Sequence, residues 1–313
     1  METMKYSIII PVYKSESSIS RLLIALNSLH IKLRKEMEVV FVVDGSPDRS
    51  FLLLKNAISS LNYSAQLISH SRNFGSFAAI RTGLTLANGK YFAIMAADLQ
   101  EPPELILEFF QHLSNNTYDV VIGSRKGRKD PFFSKISSII FWSLYRKFVI
   151  PEMPKGGVDV FACNVLFREH LIALEESRSS LIGLIFWLGF RRKEISYIRQ
   201  MRKEGKSAWA LNKKLDYLMD SIFSFTDYPI RMLIKIGFFG FLSLFIFSLI
   251  VLIYKLNGLI LISGYASIIL AITMLGAFNL LGLGLVGTYA WRAYDNTKKR
   301  PLSVVASKLK NRK

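Results

Sequence analysis

Between Lys235 and Lys255 the chain runs "IGFFGFLSLFIFSLIVLIY" (236–254) without a single charge, and a second uncharged run fills 256–291 up to Arg292. A helix needs about 20 apolar residues to cross the ~30 Å hydrocarbon core of a bilayer. Buried helices of soluble proteins rarely stay uncharged for so long. The two runs therefore predict a pair of transmembrane helices over 231–291, joined by a short outer loop within "KLNGLILISG". Charge sets their orientation. Residues 1–124 carry 11 basic and 11 acidic side chains, whereas 232–313 carry ten against one, within a net charge of +18. Basic flanks mark the cytoplasmic side and favour anionic lipid. A nucleic-acid reader would carry its basic patch on the folded domain itself, so no nucleic-acid partner is expected. The expectation is a multi-pass protein of the inner (plasma) membrane, with the N-terminal domain and both termini in the cytoplasm. "YSIIIPVY" is too short for a secretory signal and stops at Pro11. The lone Cys163 rules out an intrachain disulfide and suits a reducing compartment.

Ahead of the apolar runs, strand and helix patterns alternate. Strands are predicted over 6–13, 37–45, 64–70, 90–97 and 118–125, with helices over 17–33, 50–61, 74–87 and 102–113 between them. Short β-rich runs separated by helices of this length give a mostly parallel α/β sheet. Such sheets bind ligands beyond the carboxyl ends of their strands. After Arg125, "FFSKISSIIFWSLYRKFVI" (132–150) has the interleaved cations and aromatics of an interfacial helix. "VDVFACNVLF" (158–167) returns to strand character, and a basic loop then leads into a second juxtamembrane helix. The resulting division is 1–130, 131–230, the membrane pair 231–291 and a basic tail 292–313.

Three polar signals follow strands two, three and four. Asp44, in "VVDGSPD", ends strand two, where a carboxylate can meet a base imide or a ribose hydroxyl; an ordinary Asp-Gly turn would look the same. Arg72 and Asn73, in "SRNFG", stand before a helix start, a place that suits an anion or a sugar hydroxyl. In "ADLQEPPEL", Asp98 and Gln100 offer one charged and one neutral oxygen to a divalent cation, whose shell diphosphate oxygens can complete. The alternative for Asp98 is a cap on the helix that begins near Pro102.

Together "SIIIPVYKSES", "VVDGSPD", "SRNFG", "ADLQEPPEL" and "DVVIGSR" resemble the family 2 glycosyltransferases of GT-A fold. The likeness is greatest to the polyisoprenyl-phosphate sugar transferases, meaning bactoprenol glucosyltransferases and dolichol-phosphate mannose synthases. It extends through Arg202, Gly205, Ser207 and Trp209, the R-x-x-G-x-S-x-W block, and on to the two apolar runs. The fold class implied is α/β: a GT-A, Rossmann-like, mostly parallel catalytic domain with juxtamembrane amphipathic helices and two C-terminal transmembrane helices.

Residue by residue, the resemblance implies a nucleotide pocket lined by Pro11, Tyr13 and Glu16, with Asp44 and Ser46 at base or ribose. Asp98 and Gln100 would hold Mg²⁺ or Mn²⁺ on the diphosphate. Arg125, Arg202 and Ser207 would meet phosphate oxygens, and Asp159 would sit near the acceptor. A homotetramer is also implied. The reaction is transfer of a hexose, expected from UDP-glucose, to polyprenyl phosphate such as undecaprenyl phosphate, with inversion at the anomeric carbon. UDP-N-acetylglucosamine and GDP-mannose are the alternative donors. Two positions depart from the family: Val43 and Ala96 stand where an aspartate is common. The loss at Ala96 leaves a site with one carboxylate fewer, so a catalytically silent relative that binds nucleotide-sugar or lipid phosphate is the alternative function.

Overall fold

A computed structural model of the chain describes residues 5–127, 142–176, 179–200, 211–257 and 264–311. It divides into two units, Met1–Leu218 with Arg300–Lys313, and Met219–Lys299. The first unit is an α/β structure built on one eight-stranded mixed sheet. Its strands are β1 (Tyr6–Val12), β2 (Met37–Val43), β3 (Ser64–His70), β4 (Tyr91–Ile94), β5 (Val120–Gly127), β6 (Val158–Asn164), β7 (Arg192–Ile198) and β8 (Val305–Asn311). They lie in the order β7-β5-β6-β4-β1-β2-β3-β8. β1 pairs in parallel with both β2 and β4, and β2 with β3. β6 runs antiparallel between β4 and β5, so β5 points the same way as β4, and β7 is parallel to β5.

The apolar runs dictate this arrangement. Every residue of β2 is buried, as expected for a parallel strand covered on both faces. Ile8, Ile10 and Val12 of β1 share one cluster with Leu22 and Leu26 of α1 (Ile19–Lys32), Leu54 of α2 (Ser50–Ile58) and Phe109 of α4 (Glu104–Ser114). α3 (Ser76–Leu86) also packs on β1 and β2. Gly83 permits that approach, because a Cβ there would lie 2.3 Å from Cγ2 of Ile9. α3 and α6 (Val165–Ala173) cap one another reciprocally. Arg81 donates to the carbonyls of Leu171 and Ile172 at 3.2 and 3.1 Å, and Arg168 to those of Leu84 and Thr85 at 2.8 and 3.2 Å. A guanidinium suits the orphan carbonyls of a helix end. Helical residues 142–148 (α5) and α7 (Leu181–Trp187) complete the unit, together with the first part of α8 (Leu211–Phe225).

The second unit holds the end of α8, then α9 (Tyr228–Leu256) and α10 (Tyr265–Thr297). Arg292 of α10 binds Asp220 at 2.6 Å and Ser224 at 3.3 Å. Among the described residues one stretch, Met274–Thr297, is long and apolar enough to cross a membrane.

Strands one to six stand where the apolar runs predict them. Two do not. Arg192–Ile198, read as the approach to a basic loop, is β7. Val305–Asn311, read as part of a basic tail, is β8, antiparallel to β3 with Leu67 opposite Leu309. Lys308 and Lys310 on β8 are exposed, and lysines on an outer strand discourage pairing with another chain. The first part of the predicted interfacial helix, 132–141, lies outside the described residues.

Gly83→Ala should destabilise the first unit by about 1–3 kcal/mol, the usual cost of overpacking a dense core. The melting midpoint of the detergent-purified chain measures it, and an unchanged midpoint would show that α3 can lift from Ile9.

Candidate active site

Because β1 to β5 and β7 point one way, the loops that follow them gather along one edge of the sheet, where strand order reverses between β1 and β4. Two groups of polar side chains form there.

The first group belongs to β1, β2 and β3. Asp48 organises it by accepting from Ser46 Oγ at 2.6 Å, Ser50 Oγ at 2.9 Å and Glu16 N at 3.1 Å. Burial alone would raise the Asp48 pKa, but these hydroxyls and N–H groups hold it below the usual carboxylate value. Ser46 also accepts from Lys14 N at 2.8 Å, and Glu16 binds Arg49, with its Oε1 3.3 Å from Arg49 Nε. Tyr13 is exposed and Pro11 half-buried. Asp44 is 2% exposed. Its Oδ1 accepts from Phe74 N at 2.8 Å and its Oδ2 from Gly75 N at 2.7 Å, while His70 Nδ1 lies 2.9 Å from Oδ1. Gly45, at φ +56°, lets the strand-two loop touch the strand-three loop, since a Cβ would come within 2.3 Å of the Arg72 carbonyl carbon. Arg72 and Asn73 are exposed on that turn, with the Arg72 guanidinium 4.2 Å above the Phe74 ring.

The second group lies beyond β4, β5, β6 and β7. Leu99, between Asp98 and Gln100, adopts a left-handed φ of +55°, a conformation that costs about 1–3 kcal/mol for a non-glycine residue and concentrates at functional sites. Asp98 is half-buried and its Oδ1 accepts from Gln100 N at 3.3 Å. Gln100 is buried; its Oε1 accepts from Arg199 and its Nε2 reaches the Gln200 carbonyl at 3.4 Å. Gln200 N returns a bond to the Gln100 carbonyl at 2.9 Å. Asp159, at the start of β6, is ion-paired with Arg125 at the end of β5 and accepts from Tyr197 Oη at 2.9 Å. Arg125 Nη1 is buried without a hydrogen-bond partner, a donor that an anionic oxygen would satisfy. Glu101, 4% exposed, stands 3.9 Å from Arg199.

Burial, helped by the charges of Asp159 and Asp98, pushes the Glu101 carboxyl up to about 7, against the opposing pull of Arg199. Burial also disfavours the charge on Arg199, yet the carboxylates of Asp159, Glu101 and Asp98 hold its pKa above the ordinary value. Burial and the neighbouring Asp159 raise the Tyr197 phenol as well.

Most of the site residues named from the sequence lie at this edge, and their hydrogen-bond partners show how each is held. Asp44 and Ser46 are committed to protein partners and shape the pocket instead of pointing freely into it. Asp159 is held by Arg125 and Tyr197. Arg202 and Ser207 lie outside the described residues. Three consecutive basic residues sit at the opposite edge: Arg191 is clasped by Asp119 at 2.9 Å, and Arg192 and Lys193 start β7 opposite Val120 and Val121. Asp48, His70, Glu101, Tyr197 and Arg199 were not singled out. Only Asp48 and Glu101 had a visible signal, as carboxylates inside motifs already noted.

The metal expectation can be tested on the donor set. Among the described residues no three His, Cys, Asp or Glu side chains could hold a metal ion together. Asp98 fits a Mg²⁺-type ion, which is content with one carboxylate when diphosphate and water supply the rest. Gln100 does not fit as arranged, because Arg199 takes its oxygen, and Ala96 has none to give.

The family described as Glycosyl transferase family 2 matches residues 7–174. The glycosyltransferase YkcC of Bacillus subtilis (strain 168), itself uncharacterized, is 33% identical over 96% of this chain and 93% of that protein. The bactoprenol glucosyl transferase of Shigella phage SfV is 27% identical over 96% of this chain and 98% of its own length. Among solved structures, the mannosyltransferase PcManGT from Pyrobaculum calidifontis in complex with GDP-Man and Mn²⁺ gives a TM-score of 0.46 at 15% identity, covering 70% of this chain and 69% of that one. The chain belongs to glycosyl transferase family 2 and is a glycosyltransferase.

The Glu101 environment carries a pH consequence. Its folded pKa of about 7 lies above the ordinary glutamate value of 4.5, so the stability it contributes is complete below the unfolded pKa and is lost as pH rises through the folded one. The difference amounts to about 3 kcal/mol at 1.36 kcal/mol per pH unit. In EDTA, the wild type should lose stability between about pH 5 and pH 8 relative to Glu101→Gln. Parallel melting profiles for the two proteins would refute the buried-carboxyl assignment.

Proposed function

We propose that the protein is a membrane-anchored inverting hexosyltransferase, which moves a sugar from a nucleotide donor, UDP-glucose first among the candidates, to polyprenyl phosphate. The observation that carries this reading is a half-buried Asp98 within electrostatic reach of Arg199, with the Arg125–Asp159 ion pair in the same group of side chains, on the ligand-binding edge of a family 2 glycosyltransferase sheet. The relation to bactoprenol glucosyl transferases over almost the whole chain supports the lipid acceptor.

The reaction asks for charge stabilisation more than for a base. A phosphate oxygen of the acceptor forms a bond to the anomeric carbon as the bond to the nucleoside diphosphate breaks, and the electron pair leaves on the diphosphate. The acceptor is a phosphate monoester with a second pKa of about 6, so it is largely ionised at pH 7. Donors aimed at the departing diphosphate therefore do the main work. Arg125 offers its unpartnered N–H groups to phosphate oxygens, and Asp159 and Tyr197 keep that guanidinium in place. Arg199 adds a second positive charge beside Asp98. Mg²⁺ or Mn²⁺, when bound at Asp98, supplies further neutralisation of the diphosphate. Arg202 and Ser207 belong to the same proposal as phosphate contacts, and Arg72 and Asn73 as contacts of the donor.

A polyprenyl tail stays in the bilayer, which gives the apolar helices their purpose. α9 and α10, with 29 and 33 residues, are each long enough for a span. Phe238, Phe247, Leu280 and Leu283 are among the many large apolar side chains they expose, a surface suited to lipid and not to water. Strand pairing supports two crossings. β8 follows α10 yet belongs to the same sheet as β1 to β7, an arrangement that fits an even number of crossings between them. We read the sheet and both termini as cytoplasmic and the assembly as homo-oligomeric.

Ala96 and the engagement of Gln100 by Arg199 favour one second reading, a silent relative that binds the same ligands without turnover. A panel of UDP- and GDP-sugars incubated with the reconstituted protein, Mn²⁺ and undecaprenyl phosphate separates the two. Nucleoside diphosphate released only when the lipid is present supports the transferase; binding without release supports the silent relative. Asp98→Asn should lower turnover by at least about 100-fold, the scale on which a lost electrostatic group registers, and full activity in that variant would refute its role.

A further inference from the structure

A chain of side-chain hydrogen bonds, buried except at its Ser303 end, joins the donor pocket to the segment that follows the last helix. Ser303 Oγ lies 2.7 Å from Thr82 Oγ1, Thr82 Oγ1 lies 2.9 Å from His70 Nε2, and His70 Nδ1 lies 2.9 Å from Asp44 Oδ1. Thr82, His70 and Asp44 are 8%, 2% and 2% exposed. Asp44 in turn receives the N–H groups of Phe74 and Gly75. Gly75 is the N-cap of α3, so Asp44, reaching over from the end of β2, holds the N–H groups of the two residues that lead into that helix. The same two bonds fix the turn that presents Arg72 and Asn73.

The polarity of the chain follows from its end. A carboxylate only accepts, so Nδ1 of His70 carries the hydrogen. When the ring carries that one hydrogen, Nε2 accepts from the Thr82 hydroxyl, which accepts in turn from Ser303. Removing the Thr82 hydroxyl would leave a buried ring nitrogen without a donor and free the imidazole to rotate or change tautomer. Removing the Ser303 hydroxyl would leave only a spare lone pair on Thr82. Backbone pairing places Ser303 firmly, since Ser71 N donates to the Val304 carbonyl at 2.9 Å and β8 begins at once.

We propose that His70, Thr82 and Ser303 are positioning residues for nucleotide binding, acting through Asp44, and that the C-terminal segment thereby belongs to the donor pocket. This rests on the reading of that pocket as a nucleotide-sugar site. The test uses the full-length protein in detergent, with UDP and GDP titrated calorimetrically in Mn²⁺ and melting midpoints recorded without ligand. Thr82→Val should weaken nucleotide affinity about tenfold and Ser303→Ala two- to threefold, roughly the range of one lost hydrogen bond. Thr82→Ser should restore wild-type affinity, and the ligand-free midpoint of Ser303→Ala should stay unchanged. Wild-type affinity in both Thr82→Val and Ser303→Ala would overturn the relay alone, as would a Thr82→Ser variant as weak as Thr82→Val. If Thr82→Val does not fold, unchanged affinity in Ser303→Ala overturns it. A wild type that binds neither UDP nor GDP overturns the nucleotide reading, and this role with it.

Discussion

A strand buried on both faces can carry a charged side chain only near its ends, because an ionised group in the apolar interior must be paired or lose its charge. β1, β2 and β4 are such strands, and this limit explains where the chemistry lies. Asp44, His70, Asp98 and Arg125 each follow the last apolar residue of a strand, Asp159 opens the antiparallel β6, and Tyr197 stands next to the end of β7. The sheet thus separates a dry interior from one polar edge, and the glycines at 45 and 83 let loops and helix close on it without gaps.

At that edge the charges nearly balance. Asp98, Glu101 and Asp159 face Arg125 and Arg199, and burial pushes the Glu101 carboxyl up to about 7, so that it is only partly ionised at pH 7. Asp98 stands half-buried in reach of the Arg199 charge, and Arg125, held by Asp159, keeps a buried N–H for an anion. Such a site suits a leaving group that gains negative charge. The first group of residues, around Asp44 and Asp48, has the opposite character. Its carboxylates are saturated by hydroxyls and backbone N–H groups, so it supplies shape where the second supplies charge.

The sequence made the parallel strands legible because runs such as "MEVVFVV" and "YSIIIPV" can only be buried strands. It also located Asp44, Arg72, Asn73, Asp98 and Arg125, since each ends or follows such a run. It did not reveal β7, whose first residues are charged and whose pattern alternates weakly, nor β8, whose lysines look like a solvated tail. Both owe their pairing to distant partners: β8 meets β3 more than 200 residues away, and nothing local announces it. The same distance hides the partners of known residues. Gln100 was legible as an amide beside Asp98, but its capture by Arg199, 99 positions later, was not. His70 looked like the polar end of a strand, and only the fold shows it wedged between Asp44 and Thr82.

Hydrogen–deuterium exchange of the full-length protein, with and without a nucleoside diphosphate and Mn²⁺, tests most directly whether this edge is the donor site. The account predicts slowed exchange in the loops after β1, β3 and β4, at 13–16, 72–75 and 96–101, with little change at the opposite edge around 118–120 and 191–193. Protection confined to that opposite edge, or absent from all three loops while the nucleotide binds, would contradict it.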